Sequence, residues 1–293
     1  MRMAMSDGEA IPFRKMNGLG NDFVVLDARS RPIPMTAEIA RAIGDREKGV
    51  GCDQIIVLRR VNGADVFMEI WNRGGSRVGA CGNATRCVAD ILMNETGRDH
   101  AVIRTDAGLL LATRREDGLI QVDMGAPKFD WQDIPLAEEF RDTRGIELQV
   151  GPIDNPVLHT PSVVNVGNPH AIFWVKDLDV VDLGKVGPLL ENHPIFPEGA
   201  NISLCKVEGP DHLRLKVWER DAGLTRACGT AACAAAVCAA RKRLTGRNVR
   251  VTLPGGDLHI RWRESDDHIL MAGPVEYEFE GTLPAETFTR PAA

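Results

Sequence analysis

The chain has 293 residues, a formal net charge of −6, 44% hydrophobic residues and 26% charged residues. This composition is typical of a globular protein and excludes a disordered or fibrous chain. The acidic balance disfavours a nucleic-acid binder, because an acidic surface repels the phosphate backbone. No apolar run approaches the ~18 residues of a membrane span, and residues 1–10 lack the apolar core of a signal peptide. We therefore expect a cytoplasmic protein of about two domains or one large one, whose seven cysteines are reduced thiols.

In chain order, the first half of the sequence is predicted to be mostly strands. Short apolar runs rich in β-branched residues predict strands at 24–26, 55–58 and 66–70, and a hairpin formed by 101–113 and 119–124. Helices are predicted at 35–45 and from 84 to about 95, where Gly97 closes the second one.

The second half repeats this mixture after a proline-rich connection. Residues 126–161 carry five prolines and join the halves. Strands are predicted at 171–175, 202–207, 213–218, 249–253 and 258–262, a helix at 231–244 ended by Gly246, and a loose tail after 281. Because strands and helices do not alternate regularly, the pattern predicts an α+β fold.

The sequence repeats itself once, at one constant offset. That offset aligns Trp71 with Trp218 and Ala80-Cys81-Gly82 with Ala227-Cys228-Gly229. The same register aligns further polar residues: Asn21 with Asn168, Gln54 with Asn201, and Arg73 with Arg220. A duplication kept only for folding would retain the apolar pattern more readily than polar and cysteine residues. We therefore interpret the repeat as two similar lobes that carry matching functional residues.

Each repeated cysteine stands directly before a glycine and just before a predicted helix. The first amides of a helix have no internal acceptor and carry a partial positive charge, which favours an anion such as a carboxylate. The same field lowers the pKa of a neighbouring thiol. If the anion is an α-carboxylate, one thiolate can remove the α-proton while a thiol on the opposite face returns one. The pair Cys81 and Cys228 thus favours cofactor-free racemisation or epimerisation.

Other roles for the cysteines are less favoured. We interpret the remaining five as small buried apolar residues: Cys52, Cys87, Cys205, Cys233 and Cys238. A metal site is disfavoured, because Cys228, Cys233 and Cys238 step by five and diverge around a helix, with no Cys-x-x-Cys pair. A disulfide between Cys81 and Cys228 would be a route of inactivation.

With these motifs in hand, the chain resembles the diaminopimelate epimerases from about Phe13 to Gly281. Five segments carry the resemblance: 13–23, 49–54, 80–87, 167–170 and 218–229. It implies an enzyme that interconverts LL- and meso-2,6-diaminopimelate without cofactor or metal, for lysine and peptidoglycan precursor synthesis. It also implies two pseudo-symmetric lobes, each a barrel-like, mostly antiparallel sheet around a central helix, with the active site in the cleft.

The resemblance further implies how the chain is divided and assembled. A terminal strand after Gly273-Pro274 completes the first lobe, which gives an N-terminal lobe of 1–126 plus 274–285 and a C-terminal lobe of 127–273. A homodimer is implied through the first lobe, with Phe279 at its interface.

Residue roles follow from the same resemblance. Cys81 and Cys228 match the catalytic cysteines, and His170 and Glu219 match residues that modulate their pKa values. The positions that match substrate contacts are Asn21, Gln54, Asn72, Gly82, Asn83, Asn168, Asn201, Glu219, Arg220, Gly229 and Thr230. Their chemistry suits a zwitterion, because an Arg can fork onto a distal carboxylate, a Glu can pair with an ammonium, and Asn side chains both donate and accept.

The sequence departs from the common family pattern at Gly74, Ala84 and Leu224, without losing a catalytic side chain. Ala84 requires ordinary backbone dihedrals where the family has glycine. Four alternatives stay open: a proline or hydroxyproline racemase, which typically has His where this chain has Asn83; an isomerase of the same fold without the thiol pair; a two-lobed amino-acid binding protein; and a thiol redox sensor. Nothing in the sequence assigns which thiol acts in which direction.

Overall fold

The computed structural model describes residues 10–288, which form two compact units. Unit 1 comprises residues 10–122 and 274–288, and unit 2 comprises residues 123–273. The lobe boundary after residue 126 stays a prediction, since the contacts divide between Val122 and Asp123. Residues 1–9, which the predictions assign to the first lobe and which make up most of the segment tested for a signal peptide, lie outside the described residues.

Unit 1 begins with two helices and eight strands. They are β1 (Ile11–Gly18), β2 (Asn21–Asp27), α1 (Ala37–Gly44), β3 (Gln54–Arg59), β4 (Val66–Asn72), β5 (Arg77–Val78), α2 (Gly82–Thr96), β6 (His100–Thr105), β7 (Gly108–Arg114) and β8 (Ile120–Asp123).

Unit 2 contributes ten strands and two helices. They are β9 (Gln149–Val150), β10 (Leu158–His159), β11 (Ser162–Asn165), β12 (Pro169–Trp174), α3 (Leu183–Glu191), β13 (Asn201–Gly209), β14 (His212–Glu219), β15 (Gly223–Thr225), α4 (Gly229–Arg241), β16 (Asn248–Leu253), β17 (Gly256–Trp262) and β18 (Ile269–Gly273). The chain then returns to unit 1 with β19 (Glu276–Leu283) and a 3₁₀ turn, Ala285–Phe288.

The two units share one order of strand pairing. In unit 1, β2 runs parallel to β3, β3 antiparallel to β4, β4 parallel to β6, and β6 antiparallel to β7. In unit 2, β12 runs parallel to β13, β13 antiparallel to β14, β14 parallel to β16, and β16 antiparallel to β17. Antiparallel β1 and β11 extend the two sheets at β2 and β12, and β19 pairs with β1. The predicted α+β class and the repeated lobe are confirmed.

A helix packs against the strands in each unit, and in unit 2 its side chains are small enough to be enclosed. The α4 sequence is rich in alanine, a strong helix former, and its residues from Ala231 to Ala239 are all buried. This helix packs against β11, β12, β13, β14, β16, β17 and β18. In unit 1, α2 is buried from Asn83 to Ala89 and packs against β1, β6 and β7.

Several predicted boundaries were wrong. The span 101–113 is two strands, β6 and β7, because Asp106 and Ala107 form a turn inside it. The helix predicted to reach 244 ends at Arg241, since Arg243 adopts a positive φ of 59°. The tail predicted after 281 is ordered as far as Phe288, whose ring is buried in the unit 1 core.

The sequence analysis did not predict helix α3 or the strands β1, β5, β9, β10, β11, β15 and β18. In β1, Arg14, Lys15 and Asn17 interrupt the apolar pattern, and β11 is only four residues long. Pro188 lies inside α3, where proline disfavours a helix. Asp182 starts α3 regardless, because its side chain accepts a hydrogen bond from the Gly184 amide at 3.0 Å. No helix within residues 10–288 is both long and apolar enough to cross a membrane.

Candidate active site

Cys81 occupies the N-cap of α2 in unit 1. Its backbone is extended, with φ −151° and ψ 110°, and its carbonyl accepts the Thr85 amide at 2.9 Å and the Thr85 hydroxyl at 2.8 Å. The Cys81 thiol makes no capping bond to the helix amides and instead lies 3.8 Å from Asn21 Oδ1. The thiol is therefore partly accessible and faces a hydrogen-bond acceptor.

A network of charged residues positions the Asn21 side chain. Asn21 Nδ2 donates to Asp53 Oδ2 at 2.9 Å, and Arg46 Nη2 bonds both Asp53 Oδ1 at 2.7 Å and Asp22 Oδ1 at 2.8 Å. Lys15 pairs with Asp22 and donates to the Gly51 carbonyl at 2.7 Å. Burial raises the pKa of Asp22, but the hydrogen bonds and charges of Arg46 and Lys15 outweigh it and hold that pKa well below its usual range. The sequence analysis missed these charged residues, although Asp22 and Asp53 adjoin the predicted Asn21 and Gln54.

Gln54 and Asn72 lie opposite each other on β3 and β4. Gln54 Nε2 donates to Asn72 Oδ1 at 3.0 Å, and Asn72 Nδ2 donates to Ser76 Oγ at 3.1 Å. The buried Gln54 Oε1 has no partner among the described residues, and the same holds for Asn83 Oδ1 in the first turn of α2, which Gly82 opens. Two amide acceptors in unit 1 are thus left unsatisfied by the protein. Ala84 is helical and has no positive φ, as expected for the residue that replaces the family's glycine.

Cys228 occupies the matching N-cap of α4 in unit 2, where Gly229 opens the helix. Its Sγ accepts a hydrogen bond from the Ala231 amide at 3.4 Å and lies 3.4 Å from Thr230 Oγ1. Burial raises the pKa of this thiol well above its usual value, and the Glu219 carboxylate, which hydrogen-bonds it, adds to the rise. The Thr230 hydroxyl and the Ala231 amide act in the opposite direction. The resting Cys228 is therefore a thiol beside a carboxylate that can accept its proton.

A tight hairpin positions Glu219 and Arg220. Residue Asp221 has a positive φ of 62°, and Gly223 pairs with Glu219 across the β14–β15 turn. The Thr225 hydroxyl donates to Glu219 Oε1 at 2.5 Å. Arg220 Nη1 donates to the Glu198 carbonyl at 2.7 Å, and Arg220 lines a cavity of about 450 Å³ with His193, Phe196 and Glu198.

Asn201 links two loops of unit 2. It is 2% exposed, its Nδ2 donates to the Pro169 carbonyl at 2.9 Å, and its Oδ1 accepts the Arg220 amide at 3.0 Å. Its polar atoms thus bind backbone groups, and Asn201 holds the segments that carry His170 and Arg220.

His170 is fully buried on β12, beside Asn201 of the parallel strand β13. Its Nε2 lies 2.8 Å from Asn168 Oδ1, while Nδ1 has no partner among the described residues. Burial lowers the pKa of His170 to about 3, and the Arg220 charge adds to this effect. The ring is therefore neutral and carries its proton on Nε2, from which it donates to Asn168. The described hydrogen bonds of His170 do not include Cys228.

Burial separates the remaining predicted residues by role. It raises the pKa values of the Cys52, Cys87 and Cys238 thiols to about 12. Such thiols stay protonated, in keeping with the structural role expected of them.

Phe279 on β19 is 46% exposed, and its ring meets that of Phe13 edge to face, with centroids 6.0 Å apart.

The fold of the chain is that of a known group of solved structures. A phenazine biosynthesis protein of the PhzF family from Bacillus anthracis aligns with a TM-score of 0.66 at 18% identity, over 94% of this chain and 99% of that protein. A hydroxyproline epimerase from Agrobacterium vitis, solved with trans-4-hydroxy-L-proline, aligns with a TM-score of 0.65 at 13% identity, over 96% and 94% of the two chains. At these identities the similarity is one of fold, and it defines the fold class of the chain.

Sequence comparison then gives the family. The diaminopimelate epimerase family model matches residues 13–129 and 162–278. A diaminopimelate epimerase of Rhodopseudomonas palustris strain HaA2 is 58% identical over 94% of both chains. One from Brucella anthropi is 59% identical over 94% of this chain and 92% of the relative. The chain belongs to the diaminopimelate epimerase family and is an isomerase, so the predicted family and enzyme class are confirmed.

Proposed function

We propose that the chain interconverts LL- and meso-2,6-diaminopimelate by two-base epimerisation, and so supplies lysine and peptidoglycan precursor synthesis. One observation carries the proposal: in each unit a cysteine, Cys81 or Cys228, caps a long helix with its thiol directed at a polar side chain. In a chain of this family, such thiols are suited to exchange a proton with an α-carbon. Relatives named diaminopimelate epimerase supply the substrate.

Two thiols and no cofactor are sufficient for the proposed chemistry. One cysteine, as thiolate, removes the α-proton, and the other, as thiol, protonates the opposite face of the carbanion. When Cys228 is the base, the Glu219 carboxylate accepts the proton of the Cys228 thiol. The resulting thiolate lies next to the α4 amides, which stabilise its negative charge. The amides that begin with Gly82 and Asn83 in α2, and with Gly229 and Thr230 in α4, stabilise the charge that develops on the α-carboxylate.

The differences between the two repeats support a substrate whose two ends are recognised differently. Under the repeat, Asn72 corresponds to Glu219 and Asn83 to Thr230. A symmetric pair of lobes would suit a symmetric ligand, whereas these differences suit a molecule with one reacting and one recognised centre. We assign the distal carboxylate to Arg220, with Asn21, Gln54, Asn168 and Asn201 as further contacts or supports.

Assembly and location are part of the same proposal. Exposed Phe279 and Tyr277 support a homodimer formed through unit 1, because both rings lie on β19, where five consecutive residues are exposed. We also propose that the chain acts in the cytoplasm, where its cysteines stay reduced.

The test is deuterium incorporation. Reduced protein is incubated with LL-diaminopimelate in heavy water, and deuterium at the α-carbon is followed together with the meso product. We expect both to appear, and we expect Cys81→Ser and Cys228→Ser each to slow them at least about 100-fold, the scale of a lost acid–base group.

Other outcomes would distinguish the alternatives. Exchange with proline or hydroxyproline but not with diaminopimelate would keep the mechanism and overturn the substrate. Binding of an amino acid with no exchange by the reduced protein would indicate a binding protein. An Arg220→Ala variant should lose diaminopimelate turnover while retaining slow exchange of simple α-amino acids, and equal losses would contradict the role given to Arg220.

A further inference from the structure

A continuous chain of polar contacts leads from the surface of unit 1 to the Cys81 thiol. Arg46 binds Asp53 Oδ1 at 2.7 Å, and Asp53 Oδ2 accepts from Asn21 Nδ2 at 2.9 Å. Asn21 Oδ1 lies 3.8 Å from Cys81 Sγ. The Asn21 side chain thus stands between a carboxylate and the thiol.

The carboxylate decides which end of the amide meets the thiol. An ionised Asp53 can only accept hydrogen bonds, so it selects the NH₂ group of Asn21. The amide oxygen must then face Cys81, where it can accept the S–H proton but offers nothing to a thiolate. Two contacts hold Asp53 in place. Its backbone amide donates to Asp22 Oδ1 at 2.9 Å, and its carboxylate accepts from the Arg46 guanidinium.

Unit 2 has the same asparagine without the same carboxylate. The repeat aligns Asn21 with Asn168, but it aligns Asp53 with Ala200 and Asp22 with Pro169. In unit 2 the neutral His170 donates to Asn168 Oδ1 at 2.8 Å, so the oxygen of that amide is already occupied. The protein therefore binds the NH₂ group of Asn21 in unit 1 but the amide oxygen of Asn168 in unit 2. The Asp53 contact is thus not a general requirement of the lobe fold.

We propose that Asp53 is a positioning residue for Cys81: it fixes the Asn21 amide so that its oxygen holds the thiol proton, which poises Cys81 as the proton donor of the resting pair. Because the donor role has meaning only if Cys81 takes part in proton transfer, this inference rests on the proposed function. It assigns the resting protonation of Cys81, whereas the sequence analysis assigned neither thiol a direction.

Other groups that act on Cys81 are distinct from this contact. Cys87, on the same helix, interacts with Cys81 electrostatically but is fully buried and protonated. The Arg86 guanidinium, also on α2, lies near Gly18 of β1. Arg46, in the loop before β3, and Asp22, on β2, contact Asp53, and Lys15 of β1 pairs with Asp22. These charges stay unchanged when only the Asn21 contact is altered, which makes a double-mutant cycle informative.

The experiment measures the alkylation of Cys81 in the reduced full-length protein without substrate. Iodoacetamide rates are followed between about pH 6 and pH 10, and peptide mass mapping reports Cys81 separately from the other cysteines. In Asp53→Asn the new amide can donate as well as accept, so Asn21 can turn its NH₂ toward the thiolate. We expect alkylation of Cys81 at pH 7 to become about tenfold faster, the change in thiolate fraction for one pKa unit.

Matched variants separate positioning from a simple loss of charge. Asp53→Glu keeps an acceptor-only carboxylate and should alkylate at the rate of the parent protein. Asp65→Asn removes another carboxylate of unit 1, which bonds Arg98 and the Val102 amide, and should also leave the rate unchanged. In an Asn21→Leu background, Asp53→Asn should change the rate less than about twofold, because the amide that transmits the effect is gone.

Two results would overturn the inference: an unchanged Cys81 rate in Asp53→Asn, or an equal increase with and without Asn21, which would indicate only a field effect. If Asp53→Asn does not fold, Asp53→Ser also ends the enforced orientation and serves as the same test. The alkylation experiment contains no substrate, so it is independent of the deuterium experiment. If no deuterium is incorporated but the double-mutant cycle gives the expected rates, the proposed function is wrong and the Asp53–Asn21–Cys81 relation still holds. The reverse pattern would sink the relation alone.

Discussion

His170 and Phe23 show how one repeated position takes two chemistries. Both are fully buried and occupy equivalent places in parallel strand pairs, Phe23 beside Gln54 and His170 beside Asn201. In unit 2 the ring gains one hydrogen bond, to Asn168, but it cannot be charged without a large desolvation cost. Its lowered pKa, about 3, is therefore a property of burial.

This burial predicts a pH dependence of stability. The unfolded His170 takes up a proton below its ordinary value of 6.5, whereas the folded one does not until about pH 3. The unfolded state thus binds more protons between these values, so the stabilisation is complete above pH 6.5 and is lost as the pH falls. Between pH 7 and pH 4.5 we expect His170 to account for a loss of about 2–3 kcal/mol in the free energy of unfolding.

Urea unfolding at both pH values measures the loss, with His170→Phe as the variant because unit 1 has Phe23 at the same place. The variant should lose about 2–3 kcal/mol less than the parent protein over this interval. The exposed His259 provides a control: His259→Gln should lose as much free energy of unfolding between the two pH values as the parent protein does. Parallel losses in the parent and in His170→Phe would contradict the assignment of a neutral His170.

At the scale of elements, α3 supports the end of β14 by a close approach. Trp218 Nε1 donates to Glu191 Oε2 at 2.6 Å, and Glu191 Oε1 accepts the Asp221 amide at 3.0 Å. The same helix passes over the Trp218 ring at Gly187, where a Cβ would lie 2.5 Å from ring carbons. Glycine is therefore required at this crossing for steric reasons, and the contact fixes the turn that carries Glu219 and Arg220.

We predict that Gly187→Ala destabilises the protein by about 1–3 kcal/mol, the usual cost of overpacking a closed contact. The free energy of unfolding in urea measures the effect. Gly246→Ala is the matched control, because no atom lies within 4 Å of a Cβ built there. If the two substitutions had equal effects, α3 would not be held as closely against Trp218 as the structure shows.

For the whole molecule, β19 presents two exposed aromatic side chains. Tyr277 and Phe279 are 48% and 46% exposed on this strand, which pairs with β1. Exposed aromatic residues of this kind are enriched in protein–protein interfaces. This supports the proposed homodimer and makes it testable with single substitutions.

We predict that the parent protein sediments as a dimer and that Phe279→Arg shifts it toward the monomer, with dissociation at least about tenfold easier, as expected for a central aromatic contact. Sedimentation velocity at several concentrations measures the shift. Leu109→Arg changes a side chain that is 56% exposed on β7 and should leave the dimer intact. A monomeric parent protein, or dissociation caused equally by both substitutions, would contradict an interface at Phe279.

The sequence by itself determined the features that depend on local signals. The repeat, the α+β pattern and the placement of Cys81 and Cys228 at helix starts are written in adjacent residues, because capping, turn formation and strand propensity act over a few positions. Family membership followed from the same motifs. The predicted end of α4 was wrong, since the positive φ at Arg243 is not a local preference of arginine.

Only the tertiary structure decided which side chains meet across the fold. Asn21 and Asp53 are 32 residues apart, and Trp218 and Glu191 are 27 apart, so no local pattern links them. Parallel pairing of β2 with β3 brings the first pair together, and α3 packing brings the second. The burial that lowers the pKa of His170 arises in the same way, because desolvation is created by many residues from distant parts of the chain.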